Sequence, residues 1–250
     1  MNNVKKAFRY ILLVTGLWIM SVPILAAPDY AREKRWHDEI IPSIIVGEPV
    51  YLEQKNKHRF LSIYTQADSA KTGLVVVHGM GIHPDWGMVN TLREGLAEYG
   101  FSTLSIQMPV LAADAKPSEY PAIYPDAAER LKIAVNYMKE AGYPRVVIVS
   151  HSNGSRMSRV YMVTKPAEVD AWASLSLTQE DNFTGVKAPV LDLYGSDDLP
   201  HVLSAVEQRK QSLAGNKGSR QVVVNGADHF YAGYEDAMVR HVKEFLETLH

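Results

Sequence analysis

The chain has 250 residues, of which 46% are hydrophobic and 22% charged, and it contains no cysteine. This length and composition are typical of one medium-sized globular domain, and the lack of cysteine excludes disulfides, thiolate metal sites and cysteine nucleophiles. The formal net charge is −2, and subtracting the +3 of residues 1–26 leaves −5 for the remainder. A mildly acidic protein with scattered basic residues gives no electrostatic reason to bind nucleic acid, and we predict that it does not.

The N-terminal residues have the pattern of a secretory signal peptide. Three basic residues precede an apolar run over residues 10–25, which is followed by Ala26, Ala27 and Pro28. This order is typical of a signal peptide, and the run is shorter than the about 20 residues that a membrane-spanning helix needs. We therefore predict a signal peptide over residues 1–26, export to the bacterial periplasm, and membrane contact only during export. An uncleaved N-terminal anchor is the alternative.

After the signal peptide, the pattern predicts one domain over residues 27–250, with a leading segment at residues 27–57. Short apolar runs bounded by turn residues predict strands at residues 58–65, 74–79, 101–106, 145–150, 171–177, 189–195 and 220–226. Amphipathic stretches predict helices between them, including one from Pro200 to Ala214. The alternation predicts an α/β fold with a mainly parallel central sheet and helices on both faces.

Polar residues that follow three of these strands suggest a nucleophilic site. Ser152 comes after the strand at residues 145–150, Asp197 and Asp198 after the strand at 189–195, and His229 after the strand at 220–226. The carboxyl ends of parallel strands form the ligand-binding edge of such a sheet. A serine hydroxyl needs a histidine to accept its proton, and the histidine needs a carboxylate to fix its tautomer. The chain order Ser…Asp…His is that of an α/β-hydrolase triad.

Among the serines of the stretch SHSNGS, Ser152 fits the sharp strand-to-helix turn that exposes a nucleophile. The motif G-x-S-x-G requires small residues two positions before and two positions after the serine, and here they are Ser150 and Gly154. Centring the motif on Ser150 or Ser155 would put bulky side chains in those positions. Ser150 replaces the first glycine of the motif, which is a sterically small departure.

The motifs HGMGIHPDW, TLSIQMP, SHSNGS and GADHF, taken in order, resemble the α/β-hydrolase superfamily of esterases and lipases from about residue 58 to the C-terminus. Within it they resemble a group of short exported bacterial members of unestablished activity. The resemblance implies an α/β-hydrolase fold. Only residues 178–188 separate the strand after the nucleophile helix from the acid's strand, so we expect no large lid domain and an open site, roofed by loop 108–125.

The resemblance also implies roles for individual residues. Ser152 would be the nucleophile and His229 the general base. The acid would lie three residues after the glycine that ends its strand, which gives Asp198, with Asp197 as the competitor. The backbone N–H groups of Met80 and Asn153 would form the oxyanion hole.

Together these features predict a serine hydrolase that cleaves an ester-type bond in a small or polymeric acyl ester, through an acyl-enzyme and without a cofactor or metal. One alternative is a non-catalytic binding protein of the cell envelope with the same fold. Another is a metal site at His78, His83 and Asp85, although their spacing matches no ligand pattern. We predict that His78 instead supports the oxyanion loop, and that Asp228 is a loop residue.

Overall fold

A computed structural model describes residues 27–165, 167–178 and 181–249. The predicted signal peptide lies outside these residues. Within them, no helix is long and apolar enough to cross a membrane. The elements, in chain order, are α1 Tyr30–Ile40, β1 Glu48–Glu53, β2 Arg59–Thr65, β3 Thr72–Val77, α2 Gly87–Glu98, β4 Ser102–Ile106, α3 Tyr124–Glu140, β5 Arg145–His151, α4 Asn153–Thr164, β6 Ala171–Leu175, β7 Val190–Gly195, α5 Pro200–Leu203, α6 Val206–Ser212, β8 Arg220–Val224 and α7 Glu235–Leu246.

The eight strands form one sheet in the order β1-β2-β4-β3-β5-β6-β7-β8. The pairs β1–β2 and β2–β4 are antiparallel, and the five remaining pairs are parallel. The predicted mainly parallel sheet is therefore confirmed. The connection after β3 leads to β4 on one side, and the connection after β5 leads to β6 on the other side. This reversal opens a crevice at the carboxyl ends of β3 and β5.

Helices cover both faces of the sheet, and the central strands are buried on both sides. On one face Val75 and Val77 pack with residues of α3 and α4. On the other face Leu74 and Val76 pack with residues of α2 and α7. All six residues of β3 are buried, which explains why this strand is a continuous apolar run in the sequence.

Two parts of the fold differ from the expectation. The leading segment, for which the sequence pattern predicted no elements, contains α1 and the edge strand β1. The predicted helix from Pro200 to Ala214 is divided into α5 and α6. At the break, the carbonyl of Val202 accepts a hydrogen bond of 2.8 Å from the Arg209 guanidinium and one of 3.3 Å from the backbone N–H of Ala205.

Candidate active site

Ser152 occupies a tight turn between β5 and α4. Its backbone has φ 54° and ψ −123°, a left-handed conformation that is rare for residues other than glycine. Its N–H donates to the carbonyl of Leu175 at the end of β6, and its side chain is half-exposed beyond the sheet edge. A Cβ atom on Gly154 would lie 2.3 Å from the carbonyl oxygen of His78, so this position requires glycine.

Ser150 does more in this turn than provide a small side chain. It is buried, and its Oγ accepts a 2.7 Å hydrogen bond from the Trp172 indole N–H. The same hydroxyl lies 3.1 Å from Ser155 Oγ, and Ser155 in turn donates to the Ser150 carbonyl. The serine that replaces the motif glycine therefore provides the hydrogen-bond acceptor for a fully buried tryptophan.

The three side chains singled out by the sequence form one continuous hydrogen-bonded chain. Ser152 Oγ lies 3.0 Å from His229 Nε2, and His229 Nδ1 lies 2.6 Å from Asp198 Oδ1. Because the carboxylate accepts the Nδ1 proton, Nε2 is the unprotonated nitrogen that faces the serine. The competing acid, Asp197, is exposed and accepts a hydrogen bond from Ser196 instead.

Asp198 is a buried carboxylate with several donors. Its Oδ1 also accepts the backbone N–H of Leu199 at 2.7 Å, and its Oδ2 accepts the Ser176 hydroxyl at 2.6 Å. Burial raises the pKa of Asp198, but hydrogen bonds from His229 and Ser176 outweigh burial and bring this pKa below its ordinary value. The carboxylate is therefore ionised at neutral pH and can stabilise a protonated imidazole.

The loop that carries His229 is fixed at several points. The carboxylate of Asp228 accepts the backbone N–H groups of Phe230 and Ala232, which makes Asp228 a residue of the turn. The buried ring of His151, next to Ser152, donates from Nε2 to the carbonyl of His229 at 2.9 Å. The turn that carries Ser152 is thereby joined directly to the loop that carries His229.

The backbone N–H groups of Met80 and Asn153 are available for an oxyanion. Asn153 is the first residue of α4, where N–H groups have no intrahelical acceptor. In the described part of the chain, neither N–H is hydrogen-bonded to another protein atom. Both residues line the same pocket as Ser152.

His78 braces the loop that carries Met80. Its Nδ1 donates to the carbonyl of Gly79 at 2.8 Å, and its Nε2 accepts the backbone N–H of Met108 at 2.9 Å. Burial lowers the pKa of His78 to about 3, so the ring stays neutral. Asp85 pairs with Arg93 at 2.7 Å, and no three metal-ligating side chains converge among the described residues.

The pocket above Ser152 has a volume of about 470 Å³ and opens to solvent. Its lining is mainly apolar, with Met80, Pro117, Leu199 and Phe230, and polar groups come from Arg156, Thr178 and His201. Pro117 belongs to the loop that was predicted to roof the site. Two other concavities, of about 420 and 610 Å³, are lined by other residues and do not include Ser152 or His229.

Two residues near the acid were missed by the sequence analysis. Ser176 and Tyr231 are fully buried and lie beside Asp198 and His229. The predicted strand at residues 171–177 included Ser176, whereas β6 ends at Leu175. The rule of examining the residue directly after each strand would have found Ser176 if that strand end had been placed correctly.

Solved structures of known proteins share this fold over most of both chains. A dienelactone hydrolase from Anabaena variabilis has a TM-score of 0.68 at 20% identity, covering 81% of this chain and 97% of its own. Est1E from Butyrivibrio proteoclasticus has a TM-score of 0.64 at 15% identity, covering 81% and 98%. XC6422 from Xanthomonas campestris, described as an α/β serine hydrolase without lid, has a TM-score of 0.65 at 14% identity, covering 82% and 95%.

These similarities establish an α/β-hydrolase fold without a large lid domain, as predicted, and at such identities they extend to the fold alone. A family described as "Protein of unknown function (DUF3530)" matches residues 48–129. That stretch includes the loop that carries Met80 but not Ser152, Asp198 or His229. No curated protein matches the chain.

Proposed function

We propose that this chain is a serine hydrolase that cleaves ester-type bonds, with Ser152 as nucleophile, His229 as general base and Asp198 as the acid. The observation that carries the proposal is the hydrogen-bonded chain from Ser152 Oγ through the imidazole to a buried carboxylate. A protein that used this pocket only for binding would have no need of that alignment, which favours catalysis over a binding role.

The proposed reaction proceeds in two acyl-transfer steps. Ser152 Oγ attacks the ester carbonyl carbon while its proton passes to His229 Nε2, and the N–H groups of Met80 and Asn153 stabilise the oxyanion. The intermediate collapses when the protonated imidazole gives its proton to the departing alcohol, which leaves an acyl-enzyme. Water then attacks the acyl group while His229 accepts the water proton. The bond between the acyl carbon and Ser152 Oγ breaks as the imidazole returns that proton to Oγ, which releases the carboxylic acid and restores Ser152 and His229.

The shape and lining of the pocket bear on the substrate. An open pocket of about 470 Å³ has room for a small acyl group or for the end of a polymeric ester. The exposed apolar side chains of Met80, Leu199 and Phe230 around the mouth favour a carbon-rich group on the substrate.

We further propose that the enzyme acts in the periplasm after removal of residues 1–26, which N-terminal sequencing of a periplasmic extract would test.

A fluorophosphonate probe tests the proposed nucleophile, because such probes phosphonylate activated serines. We expect the purified protein to be labelled at one serine and the Ser152→Ala variant to remain unlabelled. The Ser158→Ala variant is the matched control, since it removes from the adjacent helix α4 a buried hydroxyl with no hydrogen-bond partner among the described residues, and it should be labelled like the wild type. Equal labelling of wild type and Ser152→Ala, or none of either, would disprove the serine-hydrolase proposal.

A panel of soluble esters, thioesters and acetylated sugars then defines the substrate. Ser152→Ala should lower kcat/KM on any hydrolysed substrate by a factor of about 10⁴ or more, as expected for removal of a nucleophile.

A further inference from the structure

Ser176 lies directly after β6 and donates to the acid of the proposed triad. Its Oγ is 2.6 Å from Asp198 Oδ2. The other carboxylate oxygen, Oδ1, accepts the His229 Nδ1 proton and the backbone N–H of Leu199. Among the described residues Ser176 is the sole donor to Oδ2. The carboxylate is therefore fixed at both oxygens and cannot rotate about its Cβ–Cγ bond without breaking a charge-assisted hydrogen bond.

A second buried hydroxyl determines where the Ser176 proton points. Tyr231 Oη lies 3.3 Å from Ser176 Oγ, and it donates its own proton to the carbonyl of Leu193 at 3.1 Å. Because burial raises the pKa of Tyr231, this hydroxyl stays protonated. The Tyr231 proton is thus committed to Leu193, and the single Ser176 proton is directed to Asp198.

Ser176 and Tyr231, whose hydroxyl oxygens lie 3.3 Å apart, both have an unusual backbone conformation. Ser176 has φ 55° and Tyr231 has φ 56°, and both side chains are fully buried. A left-handed backbone is unfavourable for a residue with a Cβ atom, and such strain persists where the surroundings enforce it, often at functional sites. The Ser176 backbone N–H is itself held by the carbonyl of Leu193 at 2.8 Å.

We infer that Ser176 is a positioning residue, which holds the Asp198 carboxylate so that Oδ1 faces His229 while the imidazole gains and loses a proton. The inference rests on the proposed function, because it assigns His229 the role of general base. It adds a fourth side chain to the three that the sequence indicated.

The test compares variants in their reaction rates and in one spectroscopic signal. For Ser176→Ala we expect kcat on 4-nitrophenyl acetate to fall about tenfold with KM changed less than about twofold, as for loss of one hydrogen bond to an ionised group. Fluorophosphonate labelling should slow by a similar factor but reach the same final labelled fraction. A full labelled fraction reached slowly indicates slower chemistry, whereas a reduced final fraction indicates that part of the protein is unfolded. The low-field proton signal of the His229 Nδ1–H should also shift.

Ser174→Ala is the matched control. Ser174 lies on β6 two residues before Ser176, is fully buried, and its hydroxyl has no partner among the described residues. This variant should match the wild type in rate and signal. Ser176→Cys keeps the side-chain size with a weaker donor, so we expect an intermediate loss, and it decides the question if Ser176→Ala fails to fold.

Two results would overturn the inference or separate it from the proposed function. If Ser176→Ala matches Ser174→Ala in kcat, labelling rate and proton signal, Ser176 does not position the acid. If the wild type is neither active nor labelled, the proposed function fails and the proton signal alone decides: a shift in Ser176→Ala supports the positioning role, and an unchanged signal refutes it.

Discussion

At the scale of single residues, backbone strain is concentrated around the candidate site. Five residues other than glycine have a left-handed backbone in the described part of the chain. Ser152, Ser176 and Tyr231 are three of them and lie within one hydrogen-bonded network, whereas Lys57 lies between β1 and β2 and Ser69 between β2 and β3. Because each such residue costs free energy of folding, their convergence indicates that the surrounding structure is organised to hold this network in one geometry.

Ser150 gives a stability prediction at the same scale. Ser150→Ala keeps the small side chain that the turn needs but leaves the Trp172 indole N–H buried without an acceptor. We expect the free energy of unfolding to fall by about 1–3 kcal/mol, measured by urea unfolding, while Ser152 is still labelled by a fluorophosphonate. Ser174→Ala, which removes an unpartnered hydroxyl from the neighbouring strand, should change stability by less. Equal stabilities of the two variants would show that the indole contact contributes nothing.

The sequence was sufficient for those residues whose position follows from a strand end. Ser152 and Asp198 each follow a buried apolar run, His229 follows the partly exposed edge strand β8, and the small flanking residues distinguish Ser152 from its neighbours. The choice between Asp197 and Asp198 came from resemblance, because both follow the same strand and only the turn geometry makes one buried and the other exposed. The contacts of Ser176 and Tyr231 depend on backbone angles that no local pattern specifies.

At the scale of elements, helix α1 combines a buried ion pair with a small apolar contact, in which Ile40 packs against Leu61 and Ile63 of β2. Six of its eleven residues are charged, yet the Glu33 carboxylate is buried and bonds both terminal nitrogens of Arg130 at 3.0 Å. Arg130 also donates to the carbonyl of Gln107 at 2.9 Å. The next residue, Met108, donates its backbone N–H to His78. Helix α1 is in this way joined to the segment that supports the oxyanion loop.

Substituting this pair should therefore destabilise the protein strongly. Glu33→Gln removes the charge that balances the fully buried Arg130, and we expect the free energy of unfolding to fall by about 3–5 kcal/mol. Lys34→Ala breaks an exposed pair with Asp38 in the same helix, and it should change stability far less, because solvent screens exposed pairs. Urea unfolding of both variants measures the difference, and similar losses would contradict a structural role for the buried pair.

The elements that the sequence predicted are those with the greatest burial. The predicted strands correspond to β2 through β8 because most of them are apolar runs covered on both faces. Helix α1 and strand β1 were not predicted because α1 is mostly charged and β1 is mostly exposed. Their stability comes from contacts with distant residues, such as the pairing of β1 with β2, and periodicity does not report such contacts.

At the scale of the whole molecule, buried neutral histidines couple folding to pH. His78 and His151 are both about 1% exposed, and burial lowers the pKa of each to about 3. An unfolded histidine has a pKa near 6.5. Between these two values the unfolded chain therefore binds more protons than the folded one, so the stabilising contribution of each ring is complete above pH 6.5 and is lost as the pH falls toward 3.

The His151→Gln variant tests this coupling, since glutamine retains an N–H donor for the carbonyl of His229 but does not titrate. At pH 5 the proton uptake of one such histidine should lower the free energy of unfolding of the wild type by about 2 kcal/mol relative to pH 7.5. Because glutamine does not take up a proton, the variant should not show this loss at position 151. Its free energy of unfolding should therefore depend less steeply on pH over the same range. His241→Gln, at a side chain that is 26% exposed, is the control for replacing a histidine with glutamine outside the buried core. The contrary result is that the free energy of unfolding depends on pH equally steeply in His151→Gln and in the wild type. His151 would then not be a neutral buried group in the folded protein, and its hydrogen bond to the carbonyl of His229 would involve a charged ring.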